Sequence, residues 1–326
     1  MASQNQLSRY GALSRVIPEL SPAGRVFLVI DSDDTTVGPD NLGNDFPVDN
    51  KGVVRVYSII QDAVNACDSR GDVVLVAPYY TQDFERADCW AAAGVQVIGM
   101  GSGDARPALR FDTAGATINI RADGIRVSNL MFMAGEDSIA RAINLDTGFF
   151  GQRLDHCLFN KDSAADNFRV MVRVGAKESV IEDNHFIARD TGVASGRAIS
   201  IVGGDPDQLV IRNNYIYGQY DTVSDTTDGA ASIGVDTTNL ADTNLSGVLI
   251  EKNLIVNTDT AVPSLLRLGV GGLTVRGLAN ENRFVTYDSA TADTSKILGG
   301  GIRFTHNYIG MDSTEKLIGD SFVAAA

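Results

Sequence analysis

The chain has 326 residues, with 27 basic side chains against 41 acidic ones and a net charge of −14. That balance excludes the clustered Lys and Arg that phosphate contacts demand, so no nucleic-acid partner is expected. No apolar run approaches the about 18 residues of a membrane span, so no membrane partner is expected either.

Residues 1–24 are polar overall, carry Pro18 and Pro22, and show no periodicity. They read as an extended arm that cannot bury enough apolar surface to fold alone. Arg9 and Arg15 make it slightly basic, and Tyr10, Leu13, Val16, Ile17 and Leu20 offer apolar anchors for another chain. The opening Met1-Ala2-Ser3-Gln4-Asn5-Gln6 has neither a basic start nor an apolar segment. The expectation is therefore a protein made in the cytoplasm without a secretory leader. Cys67, Cys89 and Cys157 show no metal-ligand spacing and fit buried thiols of a reducing compartment.

Residues 25–56 begin with a strand, Arg25 to Ile30, and continue as an acidic loop. From Asp31 to Asn50 the loop holds six aspartates and no Lys or Arg. A calcium loop starting at Asp31 would need glycine at Thr36 and glutamate at Leu42, so a solvated loop is expected. Tyr57 to Cys67 places Ile59, Ile60, Ala63, Val64 and Cys67 at helical spacing, with Ser58 as a cap and Gly71 beyond the end. Strands follow at Asp72 to Pro78, Gly94 to Gly99 and Ala116 to Ile120.

From residue 127 a short phrase recurs seven times. It opens as Val127-Ser128-Asn129-Leu130-Met131-Phe132 and closes as Phe304-Thr305-His306-Asn307-Tyr308-Ile309. Its last apolar residues, at 132, 159, 186, 216, 255, 284 and 309, are spaced by 27, 27, 30, 39, 29 and 25 residues. A period of this size belongs to stacked units that share one core. Each phrase reads strand, sharp turn, strand, without helical spacing. Further strand-like pieces lie between phrases at Ala142 to Leu145, Val170 to Val174 and Ala198 to Ile201. Three strands per unit make a coil of a parallel β-helix, a fold that lengthens by adding coils and escapes the size limit of a single core. Val127, Leu154, Ile181, Ile211, Ile250 and Phe304 should form one inward stack.

The fourth position is Asn184, Asn214, Asn253, Asn282 or Asn307 in five of the seven copies. Asparagine tolerates the left-handed conformation a tight turn needs, and stacked copies could pass amide hydrogen bonds from coil to coil. Leu130 and Cys157 break the row at its early end. Gly218 to Ser246 and Thr286 to Leu298 read as long inserts bulging from one side.

The helix Ile59-Ile60-Gln61-Asp62-Ala63-Val64, followed by Gly71-Asp72-Val73-Val74-Leu75-Val76-Ala77-Pro78, resembles the start of the pectin-lyase-like right-handed β-helices. With the coil phrases, the likeness covers about residues 55 to 312. It implies an all-β, right-handed parallel β-helix over residues 57–312, capped by the helix and followed by a tail, 313–326. The stretch from Arg25 to Asp34 leading through an acidic loop is similar to β-helical virion proteins of tailed bacteriophages. That similarity implies a non-enzymatic capsid decoration or cement protein, bound to a major capsid protein or other virion proteins, located in the virion, and homotrimeric. The rival is a tailspike-like carbohydrate-active β-helix, a lyase or a glycoside hydrolase, or a glycan-binding module, with a host surface glycan as partner.

Arg153-Leu154-Asp155-His156-Cys157 resembles the Asp-His phrase of polysaccharide lyases, in which acids bind calcium and an arginine takes a sugar proton. Asp155, Glu182 and Asp183 fall on adjacent coils and could cluster, but Arg212 and Glu251 continue the row with alternating sign, as a solvated turn row would. Glycoside hydrolysis needs two carboxyls about 5 to 9.5 Å apart. Asp221, Asp225 and Asp228 are acids of the first insert, in a stretch that reads as a flexible polar loop. His156, His185 and His306 do not share one slot and read as turn or surface residues. Trp90 is the only tryptophan, and Tyr215, Tyr217 and Tyr220 fit either a sugar platform or coil packing. No residue is assigned a catalytic, cofactor or metal role, and no cofactor is expected.

Overall fold

The computed structural model describes residues 24–31, 55–188, 194–202, 206–221, 231–236, 244–259, 264–269, 274–287, 297–311 and 314–318. The arm residues Arg9, Tyr10, Leu13, Arg15, Val16, Ile17 and Leu20, most of the acidic loop, and Asp225 and Asp228 lie outside the described residues.

The described strands form a parallel β-helix of three sheets, here A, B and C, with 11, 10 and 8 strands. One coil runs Arg153–Asp155 in sheet A, Leu158–Lys161 in sheet B and Val170–Val174 in sheet C, then returns to sheet A at Val180–Glu182. Right-handed winding is the sense that twisted L-strands impose on parallel crossovers in about 98% of cases. The phrase thus spans the corner from sheet A to sheet B. Its first residues stack in register as Val127, Leu154, Ile181, Ile211, Ile250, Ala279 and Phe304, all buried in one continuous core. The sixth residues stack beside them, and Phe132, Phe159 and Phe186 lie face to face at centroid spacings of 4.8 Å. Offset stacking at that spacing is favourable, and the coil repeat supplies it without strain.

The left-handed residue is not the asparagine. It is the third position, in all seven phrases: Asn129, His156, Asp183, Asn213, Lys252, Glu281 and His306, with φ between 52° and 55°. Histidine, lysine and glutamate are costly there. The backbone compensates, because in the first six phrases the third-position N–H donates to the second-position carbonyl of the next coil, as from Asn129 to Asp155 at 3.1 Å and from Lys252 to Asn280 at 3.0 Å. The fourth-position asparagines turn inward and are at most 1% exposed.

There they form a ladder. Each Nδ2 donates to the next Oδ1: Asn184 to Asn214 at 3.1 Å, Asn214 to Asn253 at 3.0 Å, Asn253 to Asn282 at 2.9 Å and Asn282 to Asn307 at 2.8 Å. Each Nδ2 also reaches a first-position carbonyl, as from Asn214 to Ile181 at 2.9 Å. Each Oδ1 accepts a backbone N–H of the preceding coil, as from Asn184 at 3.1 Å. The ladder begins at Cys157, whose N–H donates to Asn184 Oδ1 at 2.9 Å.

The N-terminal end is closed as expected in kind, with shorter bounds: the helix is Ile60–Asn65. Ser58 does not cap it. The Ile60 N–H donates instead to Gln82 Oε1, 3.2 Å away on a neighbouring strand. Gln61 meets the exposed edge of strand Ala87–Trp90 as a strand would, donating to the Cys89 carbonyl at 2.8 Å and accepting its N–H at 2.9 Å. This covers an edge that would otherwise template pairing. Asp72, fully buried, ties in the preceding strand Val26–Val29 by accepting the Arg25 N–H at 2.8 Å and its Nη2 at 2.6 Å.

At the other end, Thr314–Ile318 pairs antiparallel with Asn307–Met311, so the sheet runs past the boundary at residue 312. The inserts also hold structure that their polar neighbours hide in the sequence. Ile233–Asp236 and Ile297–Leu298 are sheet C strands.

Candidate functional site

The outward face of each sheet carries a different chemistry. On sheet A, strand alternation turns the residues on either side of the buried first position outward. Asp155 and Glu182, the lyase-like acids, stand there on adjacent coils in register with Ser128 and Arg212. Both are nonetheless buried, because guanidinium groups roof them. Arg126 grips Asp155 with Nε–Oδ2 at 2.7 Å and Nη2–Oδ1 at 3.0 Å. Ser128 Oγ donates to the same carboxylate at 2.6 Å, and His156 Nδ1 lies 2.8 Å from Oδ1. Arg153 Nη2 and Arg212 Nε each stand 2.5 Å from Glu182.

These contacts fix the electrostatics. Burial raises the Asp155 pKa, but the hydrogen bonds from Arg126, Ser128 and His156 outweigh it and hold the carboxyl below its ordinary range. The hydrogen bond to Glu182 raises the Arg212 pKa further above its already high value. A base that takes a sugar proton must first be deprotonated, and this pairing drives Arg212 the other way. Calcium needs about six to eight converging oxygens. Asp155 and Glu182 instead face nitrogen donors, and Asp183 sits in the left-handed turn. Among the described residues, no group of three or more His, Cys, Asp or Glu is arranged to hold a metal ion.

On sheet B, the residues flanking the buried Phe186 and Ile216 point outward. Tyr215 and Tyr217 therefore face outward, with rings 6.1 Å apart and nearly parallel, and His185 meets Tyr215 edge-on at 5.6 Å. Burial, and then Arg106, lower the His185 pKa, which favours its neutral form. Tyr220 is fully buried and donates to the Phe186 carbonyl at 3.2 Å, so it is not part of an exposed platform. Trp90 is likewise fully buried. His156 and His306 are turn residues.

Sheet C carries an arrangement the sequence reading missed. Asn119, Asn144 and Arg173 share one outward row. A hydrogen-bond chain runs along it: Asn119 Nδ2 to the Asp88 carbonyl at 3.2 Å, Asn144 Nδ2 to Asn119 Oδ1 at 3.0 Å, and Arg173 Nη1 to Asn144 Oδ1 at 3.3 Å. Arg141 lies close by. Burial lowers its pKa, and the like charge of Arg173 adds to this. Neither arginine has a salt bridge among the described residues. The signal was present in the aligned triplets Ile118-Asn119-Ile120, Ile143-Asn144-Leu145 and Val172-Arg173-Val174. Beside the helix, a cleft of about 390 Å³ is lined by Asp62, Asp83, Glu85, Arg86 and Asp88, and burial raises the Asp88 pKa.

No protein-family model and no curated protein matches the sequence. Solved structures do. An alginate lyase from Paenibacillus sp. str. FPU-7 superposes with a TM-score of 0.50 at 14% identity, over 78% of this chain and 85% of that one. A mutant of the PL6-family alginate lyase AlyGC gives a TM-score of 0.51 at 14% identity, over 87% of this chain but only 38% of that one. ORF18 of Geobacillus virus E2 aligns over 78% of this chain and 57% of its own at 11% identity, with a TM-score of 0.29, too loose to bear on function. Identities this low speak for architecture alone, and the architecture is the parallel β-helix of the pectin-lyase-like proteins.

Proposed function

We propose that the chain is a non-enzymatic structural protein of a bacteriophage virion, a decoration or cement subunit that self-associates and binds a capsid shell. The observation that supports this most is the roof over sheet A. The lyase-like carboxylates are spent on Arg126, Arg153 and Arg212, which leaves neither a metal-binding acid nor a free arginine base in that phrase. A hydrogen-bonded ladder and a closed end fit a rigid particle component. The arm of residues 1–24 is the part proposed to reach the shell or neighbouring subunits. Deleting it should strip the protein from purified particles while leaving its far-UV spectrum intact. Undiminished retention would remove the arm from this proposal.

A second reading has its own support. Arg141 and Arg173 stand close together on sheet C and neither forms a salt bridge among the described residues, with Asp146 and Asp236 acting on Arg141 only at longer range, and such a pair of neighbouring cations suits an anionic glycan. The chain would then be a glycan-binding or carbohydrate-active β-helix, and the superposed alginate lyases are β-helices that act on such a polymer. Incubation with alginate, pectate and bacterial surface polysaccharides separates the two. The structural reading expects neither unsaturated products nor new reducing ends. Turnover abolished by Arg212→Lys or Arg173→Ala would establish the carbohydrate-active reading.

A further inference from the structure

Beyond its first two strands, the outer face of sheet B carries few charges among the described residues. From the Met131–Ala134 strand to the Asn307–Met311 strand, one outward row reads Met133, Asn160, Ile187, Tyr217, Val256, Val285 and Gly310, without a charge. The row beside it carries Leu158, Leu254 and Tyr308 and a single charge, Arg283. Leu254 is 36% exposed and Tyr308 40%. On sheet A the corresponding rows mix Val180, Val210, Leu249 and Leu278 with arginines and carboxylates at Arg126, Arg153, Asp155, Glu182, Arg212 and Glu251, so charge interrupts that face at most coils. A contiguous apolar face of this kind marks an interaction surface.

We infer that this face packs against the same face of a second copy of the chain, antiparallel, about a twofold axis near Tyr217, one coil from Ile187. Three observations favour a second copy. The face is ruled at the coil repeat of about 4.8 Å over some 30 Å, a period that another copy of this solenoid reproduces along its whole length. Its size, on the order of 600 Å² per copy, reaches the lower end of stable interfaces. Its two ends carry opposite charge. Asp83, Asp112 and Asp162 outnumber Arg110 at the first coils, where burial and these acids raise the Asp112 pKa. Arg283 stands near the last coil. Antiparallel packing brings each Arg283 to the acidic end of its partner, whereas parallel packing would set like against like. Gln61 covers the sheet C edge at one end and the antiparallel Thr314–Ile318 strand the sheet B edge at the other, which disfavours end-to-end growth through those edges.

A self-complementary face gives a closed pair. This differs from the threefold state that the resemblance to phage proteins implies, which needs two different surfaces. The pairing does not depend on whether the chain decorates a particle or acts on a glycan.

The test is the mass of the full chain in solution, by light scattering and sedimentation across a concentration series. The wild type should show a two-copy mass. Ile187→Lys, which sets a cation on either side of the axis, should weaken the pair at least ten-fold. Leu254→Lys, at a more exposed position, serves if Ile187→Lys lowers the folded yield. Arg283→Glu should weaken it less, and more so at low salt. A one-copy wild-type mass overturns the inference. So does a three-copy mass, or a two-copy mass that both lysine variants retain while folded by circular dichroism.

Discussion

Asn214→Leu is expected to destabilise the protein by roughly 2–5 kcal/mol, because it leaves two backbone groups buried without partners at about 1–3 kcal/mol each. The Asn184 N–H loses Asn214 Oδ1, and the Ile181 carbonyl loses Asn214 Nδ2. The amides of Asn184 and Asn253 each lose a ladder contact as well. Size is not the cause, since Leu130 occupies the same position in the first phrase and is fully buried. The reciprocal change offers a control. Cys157 stands where the next asparagine would be, with Sγ 3.9 Å from the Val127 carbonyl that an amide would reach. Cys157→Asn should therefore be neutral or stabilising, within about 1 kcal/mol. Urea denaturation followed by circular dichroism checks both, and a loss below about 1 kcal/mol for Asn214→Leu would reduce the ladder to ordinary turn chemistry.

The same residues show what the sequence could and could not reveal. The register of the seven phrases placed the corner between sheets A and B, because an inward stack needs an apolar residue at the same place in each coil. It did not place the left-handed residue. Asparagine's tolerance for that conformation suggested the fourth position, yet the third takes it even as Lys252 or Glu281, since backbone bonds between coils outweigh local preference. The first coils carry no phrase, so strands Thr81–Phe84, Ala87–Trp90 and Ala108–Phe111 left little trace. Partners across coils were equally hidden. Asp155 and Glu182 read as a solvated row by alternation of sign, and only the length of arginine, folding over a neighbouring strand, buries them. Tyr215 and Tyr220 are five residues apart in one coil. One faces out and the other in, because the chain turns the corner between sheets B and C after Gly218.

Asp155→Ala is expected to cost roughly 2–4 kcal/mol at neutral pH. Breaking a buried ion pair costs about 3–5 kcal/mol, and partial exposure of the arginines reduces it. The acid is fully buried, whereas the Arg126 and Arg153 side chains are 17% and 39% exposed and can regain some water. Removing the carboxylate takes from Arg126 the acid it grips and leaves Arg153 only its bridge to Glu182, beside His156. Asp155→Asn keeps the shape and an acceptor for Ser128, so it should cost less and isolate the charge. The pH dependence has a definite sign. The folded pKa of Asp155 lies below the ordinary value, so its stabilisation is complete above the unfolded pKa of about 3.9 and is lost as pH falls through the folded value. The stability gap between wild type and Asp155→Asn should therefore be constant from pH 7 to about pH 5 and shrink below about pH 4. A gap that persists undiminished at pH 3 would show that the carboxylate's charge is not its source. The carbohydrate-active reading makes the opposite forecast for this residue, a loss of turnover with little change in stability. Asp155→Asn, read by denaturation and by product release together, therefore distinguishes a carboxylate that holds coils together from one that acts on a sugar.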